Sequence, residues 1–329
     1  MTRSRTAAAA LILVVAAAVL LAVRFGSVAL STGDVVDALR GRGDPIKRDI
    51  VVGLRLPRAL LGALVGGGLA LAGATFQALL RNPLAEPYIL GISGGAAAAA
   101  VTVLALGLVS AGSWVLPAAA FGGALLAIFL VFRVASAADR SFDVRVLLLA
   151  GVVVGAFFSA MIALWFTLSE ASTVRSAVLW MMGSLAGADW GIVVTAAAYT
   201  LPAGMVLVAL ARPLDLLAIG EETATYLGVN VEQVKRLAFG MASLITAAGV
   251  AVAGVIGFVG LIVPHAVRLV VGSGHRALLP LSFLAGSAFL VLADVVARLV
   301  IAPAEIPIGV VTAFTGVPLF LVLLRKSLR

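Results

Sequence analysis

The sequence predicts an all-α protein, a polytopic bundle of membrane-spanning helices. Of its 329 residues, 63% are hydrophobic and 12% are charged, and the mean hydropathy is +1.20. A soluble globular domain is only about half apolar, so a water-soluble fold could not bury this much apolar surface. Apolar stretches recur along the whole chain and leave no room for a separate soluble domain. We therefore predict a single transmembrane domain over residues 1–329.

Ten apolar stretches have the length of a membrane-crossing helix. They cover residues 7–23, 59–80, 93–109, 114–132, 146–168, 190–211, 237–256, 257–271, 278–297 and 306–324. The first stretch follows Arg3 and Arg5, as in a signal peptide, but it runs to Val23 without a convincing cleavage site, so we predict a helix. The seventh and eighth stretches form one apolar run that is interrupted by Gly254, Gly257, Gly260 and Pro264.

An even number of spans puts both termini on one side, and the distribution of basic residues places that side in the cytoplasm. The exception is the first outer loop, which holds Arg40, Arg42, Lys47, Arg48, Arg55 and Arg58. The positive-inside rule would prefer these residues in the cytoplasm. A basic outer loop therefore needs an explanation of its own.

The central parts of the predicted spans contain no Asp, Glu, Lys, Arg or His, and Gln77 is their most polar side chain apart from Ser and Thr. Transporters driven by ion gradients usually need intramembrane carboxylates or histidines, so the sequence disfavours proton coupling. The chain also lacks cysteine, and we place His265 and His275 in or near an inner loop. We expect neither a metal site nor a cofactor.

The basic residues do not indicate nucleic-acid binding, although the net charge is +8. They are scattered through short loops rather than gathered on one face. The lysines of the sequence are Lys47, Lys235 and Lys326, and none follows a glycine-rich phosphate-binding pattern. If ATP drives this protein, a separate chain must bind it.

Two inner segments are too particular for generic loops. Residues 81–87 follow the second span, where two prolines fix a turn and Asn82 and Glu86 supply polar groups at the membrane edge. Residues 213–231 form the longest polar insertion on the inner side. Their short helical pieces carry charged and apolar side chains together, a combination suited to docking a partner.

Six stretches together resemble the permease family of binding-protein-dependent ABC importers for iron–siderophore complexes, haem and cobalamin. They are Arg55-Leu-Pro-Arg58, Asn82–Pro87, Trp180-Met-Met-Gly183, Gly220–Gly228, Gly257–His265 and Ala304-Glu-Ile-Pro-Ile-Gly309. The resemblance keeps its order and spacing from the first span to the C-terminus. One departure is Gly274, where the family usually has an Asp before the His-Arg pair.

The resemblance implies a homodimer of ten-helix subunits in the bacterial inner membrane. Its partners would be two cytoplasmic ATP-binding subunits, which hydrolyse ATP, and a periplasmic or lipid-anchored substrate-binding protein. The chain itself would be a transport subunit and not an enzyme.

The resemblance also implies roles for particular residues. Arg55, Arg58 and Arg298 would receive acidic residues of the binding protein, because guanidinium pairs well with carboxylates. Lipid headgroups are the alternative partners of these arginines. Asn82 and Leu84 would act as a cytoplasmic gate, and residues 146–168 with 170–180 would line the path. The coupling segment, residues 213–231, would contact the ATPase through Gly220, Glu221, Glu222, Leu227 and Gly228.

The substrate is the least defined part of this hypothesis. Trp180–Gly183 followed by Asp189-Trp190 resembles the cobalamin permeases, but siderophore permeases share much of the pattern. We rank iron chelates and haem together ahead of cobalamin and keep a cobalamin-specific permease as the alternative. From other classes, a gradient-driven secondary transporter and a structural or sensory subunit without transport remain open.

Overall fold

The structure is a computed structural model that describes residues 2–26, 28–109, 114–138 and 144–327. Over these residues the chain forms fifteen α-helices, with one π-helical segment and one 3₁₀ turn. The helices are α1 (Thr2–Arg24), α2 (Thr32–Leu39), α3 (Pro45–Arg48), α4 (Leu56–Leu79), α5 (Ile92–Ala105), α6 (Val115–Ala138), α7 (Val144–Leu168), α8 (Ala171–Met181), α9 (Trp190–Ala209), α10 (Ala211–Ile219), α11 (Glu221–Tyr226), α12 (Val231–Ala253), α13 (Val259–Val271), α14 (His275–Leu299) and α15 (Ile308–Ser327).

The helices account for the ten predicted spans. Seven helical stretches in the described part of the chain are long and apolar enough to cross a membrane, and α5, α13 and α15 contain shorter apolar stretches. The interrupted run divides into α12 and α13, which are separated by Gly254–Phe258 without helical structure. Gly254 and Phe258 both have positive φ, a conformation that ends one helix and redirects the chain. The predicted all-α bundle is confirmed.

Much of the predicted first outer loop is helical. Ser31 and Asp34 form a capping box that starts α2, and Asp44 caps α3. From α3 the helix continues through the π-helical segment Asp49–Arg55 into α4. The second span is therefore the inner part of a longer helix whose first turns carry Lys47, Arg48, Arg55 and Arg58, while Arg40 and Arg42 lie before it.

α4 is the central helix of the bundle and is buried along most of its length. It touches α14 and α13 at glycines. A Cβ on Gly66 would lie 2.3 Å from the carbonyl oxygen of Gly286, and one on Gly73 would lie 1.9 Å from that of Gly260. Such crossings need residues without side chains, because helices in lipid associate by close backbone approach. These glycines allow the helix backbones to approach closely, which is the usual role of small residues in membrane helices.

Candidate functional site

An ionic cluster joins three elements at the outer end of the bundle. Arg58, in the first turn of α4, donates from Nε and Nη2 to Asp294 Oδ1 of α14, at 3.0 and 2.8 Å. It also donates from Nη1 and Nη2 to the two carboxylate oxygens of Glu305, at 3.0 and 2.8 Å. The side chains of Arg58 and Asp294 are 13% and 2% exposed, whereas that of Glu305 is 41% exposed. Glu305 is thus the solvent-facing partner of a mostly enclosed arginine.

Arg55 and Arg298 are buried and hold the end of α1. Arg55 donates to the backbone carbonyls of Val23, Arg24 and Val28. Arg298 donates to those of Ala22 and Phe25 and pairs with Asp294 at 3.0 Å. Carbonyls at a helix C-terminus lack helical partners, so these guanidinium groups satisfy them. The sequence placed all three predicted docking arginines on an outer face; the structure encloses two of them inside this chain.

Three stretches without regular helix meet beside the middle of α4. The 3₁₀ turn Pro87–Leu90 and its flanks lie against the α12–α13 break, where Phe258 N–H donates to Glu86 Oε1 at 2.7 Å and Ile256 N–H to the Tyr88 hydroxyl at 3.2 Å. Residues 182–184 complete the contact, because Ser184 N–H donates to Ala253 O at 2.9 Å. Backbone without helix is tolerated at membrane depth only where protein satisfies it, as here.

Glu86 is deeper than the sequence predicted. We expected it at the membrane edge, but two residues after the break that it contacts lies Gly260, which packs against Leu69 and Gly73 in the middle and inner half of α4. The loop after α4 therefore turns back into the bundle before α5 begins. The correction follows from tertiary structure, since a Pro-flanked loop has the same sequence whether it returns into the protein or stays outside.

Gln77 explains how α13 tolerates Pro264. A proline inside a helix cannot donate to the carbonyl four residues earlier, which here belongs to Gly260. The Gln77 amide nitrogen donates to Gly260 O at 3.3 Å and to Leu261 O at 3.2 Å, and Arg268 donates to the Gln77 amide oxygen at 2.9 Å. Gln77 therefore locks α13 against α4.

The predicted gate residues lie in a tightly built turn at the inner end of α4. Asn82 N–H donates to Gln77 O, and the Asn82 side chain accepts from Leu84 N–H at 2.9 Å. Asn82 and Leu84 are both exposed. The turn thus presents these two side chains outward on a fixed backbone.

The predicted coupling segment, residues 213–231, covers most of α10, all of α11 and the first residue of α12. It is anchored by Asp215, which accepts from both the backbone N–H and the ring of His275, at 2.9 and 2.6 Å, and by Glu221. Beyond these anchors, Ile219, Tyr226 and Leu227 are 72%, 90% and 61% exposed. Glu222 is exposed beside them, while Gly228 has a φ of 82° that a larger residue would resist.

The two sequence-predicted histidines are placed differently from each other. His265 lies within α13 and is half-buried, so its predicted position in or near a loop is wrong. His275 begins α14, where it contacts Asp215. A histidine one or two turns from a helix end is not distinguished from a loop residue by hydropathy alone.

An apolar cavity of about 590 Å³ opens between α8, the α12–α13 break and α15. Its lining includes Met181, Met182, Phe258, Phe314 and Val317. The sequence proposed α8 as a path-lining element but did not single out α15. Met181 and Met182 have unbranched, polarizable side chains, which adapt well to contact with bulky apolar groups.

Sequence reasoning missed Asp294 and Glu305, the acidic partners of the outer cluster. Asp294 and Arg298 are four residues apart on one helix, a spacing that indicates a pair on the same face. That signal was available in the sequence. The pairing of Arg58 with residues 294 and 305 was not, because nothing local connects positions so distant in the chain.

Comparisons with known proteins agree with this architecture. The FecCD transport family model matches residues 12–326. The chain is 46% identical over 285 residues to the cobalamin import system permease protein BtuC of Halobacterium salinarum, covering 86% of this chain and 75% of that protein. It is 40% identical over 287 residues to the hemin transport system permease protein HmuU of Yersinia pestis, covering 84% of each.

A solved structure of a metal-chelate type ABC transporter in an inward-facing conformation superposes with a TM-score of 0.86 at 33% identity. The match covers 96% of this chain and 98% of that one. Sequence and fold therefore agree over nearly the whole length, and the chain belongs to the FecCD transport family.

Proposed function

We propose that this chain is the transmembrane permease subunit of an ATP-driven importer that carries an iron chelate, haem or cobalamin across the bacterial inner membrane. It works as a homodimer with two separate ATP-binding subunits and an external substrate-binding protein. Relatives named for cobalamin and for hemin are similar to this chain at 46% and 40% identity. That difference is too small to favour a cobalamin-specific permease over the broader proposal.

The observation that carries this proposal is the exposed surface of the coupling segment. Ile219, Tyr226 and Leu227 are large apolar side chains that project from the bundle end beside the charged Glu222. Apolar groups mixed with a charge are typical of the centre and rim of a protein interface. We assign this surface to the ATP-binding subunit.

Docking of the binding protein falls to Arg58 among the three predicted arginines. Its side chain is the most exposed of the three, at 13%, and Glu305 covers it from the solvent side. A carboxylate of the binding protein can take the place of Glu305 on the same guanidinium fork. Arg55 and Arg298 support this site indirectly, because they fix the end of α1 beside it.

The path for the substrate runs along α7, α8 and α15. The apolar cavity beside Met181, Met182 and Phe314 is bounded by α8 and α15, and α7 exposes Val152 and Phe157. In the proposed homodimer, the second copy would face this cavity and complete the path.

Reconstitution in vesicles with the ATP-binding subunit and the binding protein tests the function. We expect ATP-dependent uptake of at least one of cyanocobalamin, haem and a ferric siderophore, and loss of co-purification of the ATP-binding subunit in Tyr226→Ala with Leu227→Ala. The matched control is Leu269→Ala, which removes an apolar side chain that is 65% exposed outside this segment. Uptake that follows an imposed proton gradient without ATP would establish the secondary-transporter alternative instead.

A second measurement addresses the docking arginine. Glu305→Gln leaves the size of the side chain but removes the charge that competes for Arg58, so binding-protein affinity should rise, whereas Arg58→Glu should abolish docking. Exchange of the exposed Arg42 for Glu serves as the control for a general loss of positive charge. Equal affinity in the wild type and in Arg58→Glu would reject the role of Arg58.

A further inference from the structure

Three charged side chains from separate segments meet at the inner end of the bundle. Glu221, the first residue of α11, places Oε2 at 2.6 Å from Lys235 Nζ of α12 and Oε1 at 3.3 Å from Arg81 Nη2. Lys235 is almost enclosed, with 6% of its side chain exposed, whereas Glu221 and Arg81 are 39% and 43% exposed. One carboxylate thus bridges the coupling segment to the end of α4.

Arg81 has a backbone conformation that is unusual for its residue type. Its φ is +46°, in the left-handed region, and it follows the last residues of α4. Arg81 N–H bonds to Ala78 O, and Asn82 N–H bonds to Gln77 O. These two bonds define a Schellman motif, in which the left-handed position is usually glycine. An arginine at this position has a strained backbone, and such strain is typical of residues whose side chains have a function.

The side chain of Arg81 ties the turn that carries the gate residues to α11. Asn82 is the next residue, and its side chain fixes Leu84. α11 is six residues long and lies between Gly220 and Gly228; its buried residue is Ala224, and Glu221 joins it to α12 through Lys235. A short helix hinged at two glycines moves readily unless side chains hold it.

We propose that the Arg81–Glu221 contact is a positioning bridge that transmits movement of the coupling segment to the gate turn at Asn82 and Leu84. This inference rests on the proposed function, because it presumes that a partner moves α11. Lys235 holds the other carboxylate oxygen of Glu221 and so fixes the orientation of that carboxylate. When α11 moves, Arg81 either moves with Glu221 or loses its contact with it.

The test uses Arg81→Gly in the reconstituted transporter with its ATP-binding subunit and binding protein. Glycine fits the left-handed position without strain, so the fold and the association with the ATP-binding subunit should be retained while the bridge is lost. We expect transport per ATP hydrolysed to fall about fivefold or more, the lower end of typical coupling between two sites. Arg81→Lys, which keeps the charge, should retain more of the wild-type ratio than the glycine variant.

Glu232→Gln is the matched control, because Glu232 pairs with Arg236 on the exposed face of α12 and both side chains are half-exposed or more. It should leave transport per ATP unchanged. A ratio for Arg81→Gly within twofold of the wild type overturns the bridge, whereas failure of the wild-type subunits to assemble or to use ATP overturns the proposed function instead. A fall in the Arg81→Gly ratio that Glu232→Gln reproduces also counts against the bridge.

Discussion

Replacement of Gly73 by alanine should separate α13 from α4 and destabilise the bundle. The added Cβ would lie 1.9 Å from the carbonyl oxygen of Gly260, 2.5 Å from its carbonyl carbon and 2.6 Å from its Cα. All three atoms belong to the backbone, so no side chain can rotate to make room. The two helices would have to move apart by about 1 Å or more to restore an ordinary contact.

Gly73→Ala changes the free energy of unfolding in two opposing ways, through overpacking and through helix propensity. Overpacking of a close-packed contact costs about 1–3 kcal/mol, and a backbone-to-backbone clash belongs at the upper end. Alanine recovers about 1 kcal/mol through its higher helix propensity. The net loss is therefore about 2 kcal/mol, which corresponds to a fall in Tm of roughly 3 °C for a chain of this size.

The assay is thermal unfolding of the purified protein in detergent, with Gly240→Ala as the control. A Cβ at Gly240, in α12, meets nothing within 4 Å, so this exchange should leave Tm unchanged or raise it. The reasoning is refuted if Gly73→Ala is as stable as Gly240→Ala. Such a result would mean that α13 can shift without a loss of stability. The contact between Gly73 and Gly260 would then not determine how closely α4 and α13 cross.

The remaining predictions concern Gln77 and Asp34. Gln77→Leu should lower stability by about 1–3 kcal/mol in the same unfolding assay, because Gly260 O, which Pro264 leaves free, loses its buried donor; an unchanged Tm would contradict this. Hydrogen bonds from Lys47, chiefly, lower the pKa of Asp34 from 3.8 to about 2. Because the folded pKa is the lower one, the contribution of this contact is complete above pH 3.8 and is lost as pH falls toward 2. A carbon NMR titration of the Asp34 carboxyl should show ionisation well below pH 3.8 in the wild type and at a higher pH in Lys47→Met, where the hydrogen bonds from Ser31 still hold the pKa below 3.8; identical titrations would refute the assignment.

The helices and their order were predictable because hydropathy is a local property. Each span must be apolar over its own length, so composition and length identify it without reference to its neighbours. The same holds for the break between α12 and α13, where glycines and a proline act on the backbone next to them. The exposed apolar side chains of Ile219 and Leu227 were recognisable for a similar reason, since they stand out within a polar insertion.

For the site residues, the sequence predicted that arginines lie at the outer ends of the helices, but it did not predict which groups each arginine contacts. Arg55, Arg58 and Arg298 have the same charge and similar positions at helix ends, yet two are enclosed among backbone carbonyls and one faces two carboxylates. The difference arises from where α1 ends relative to α4 and α14. No pattern within a few residues of any of these arginines contains that information.

The sequence by itself determined that this protein is a membrane-spanning helical bundle and which segments lie at its two ends, because lipid imposes a rule on every span separately. Tertiary structure alone decided the depth of Glu86, the partners of Arg58, and the bridge from Glu221 to Arg81. These depend on the distance between atoms far apart in the chain. Electrostatic and hydrogen-bonding partners are chosen by that distance and not by sequence separation.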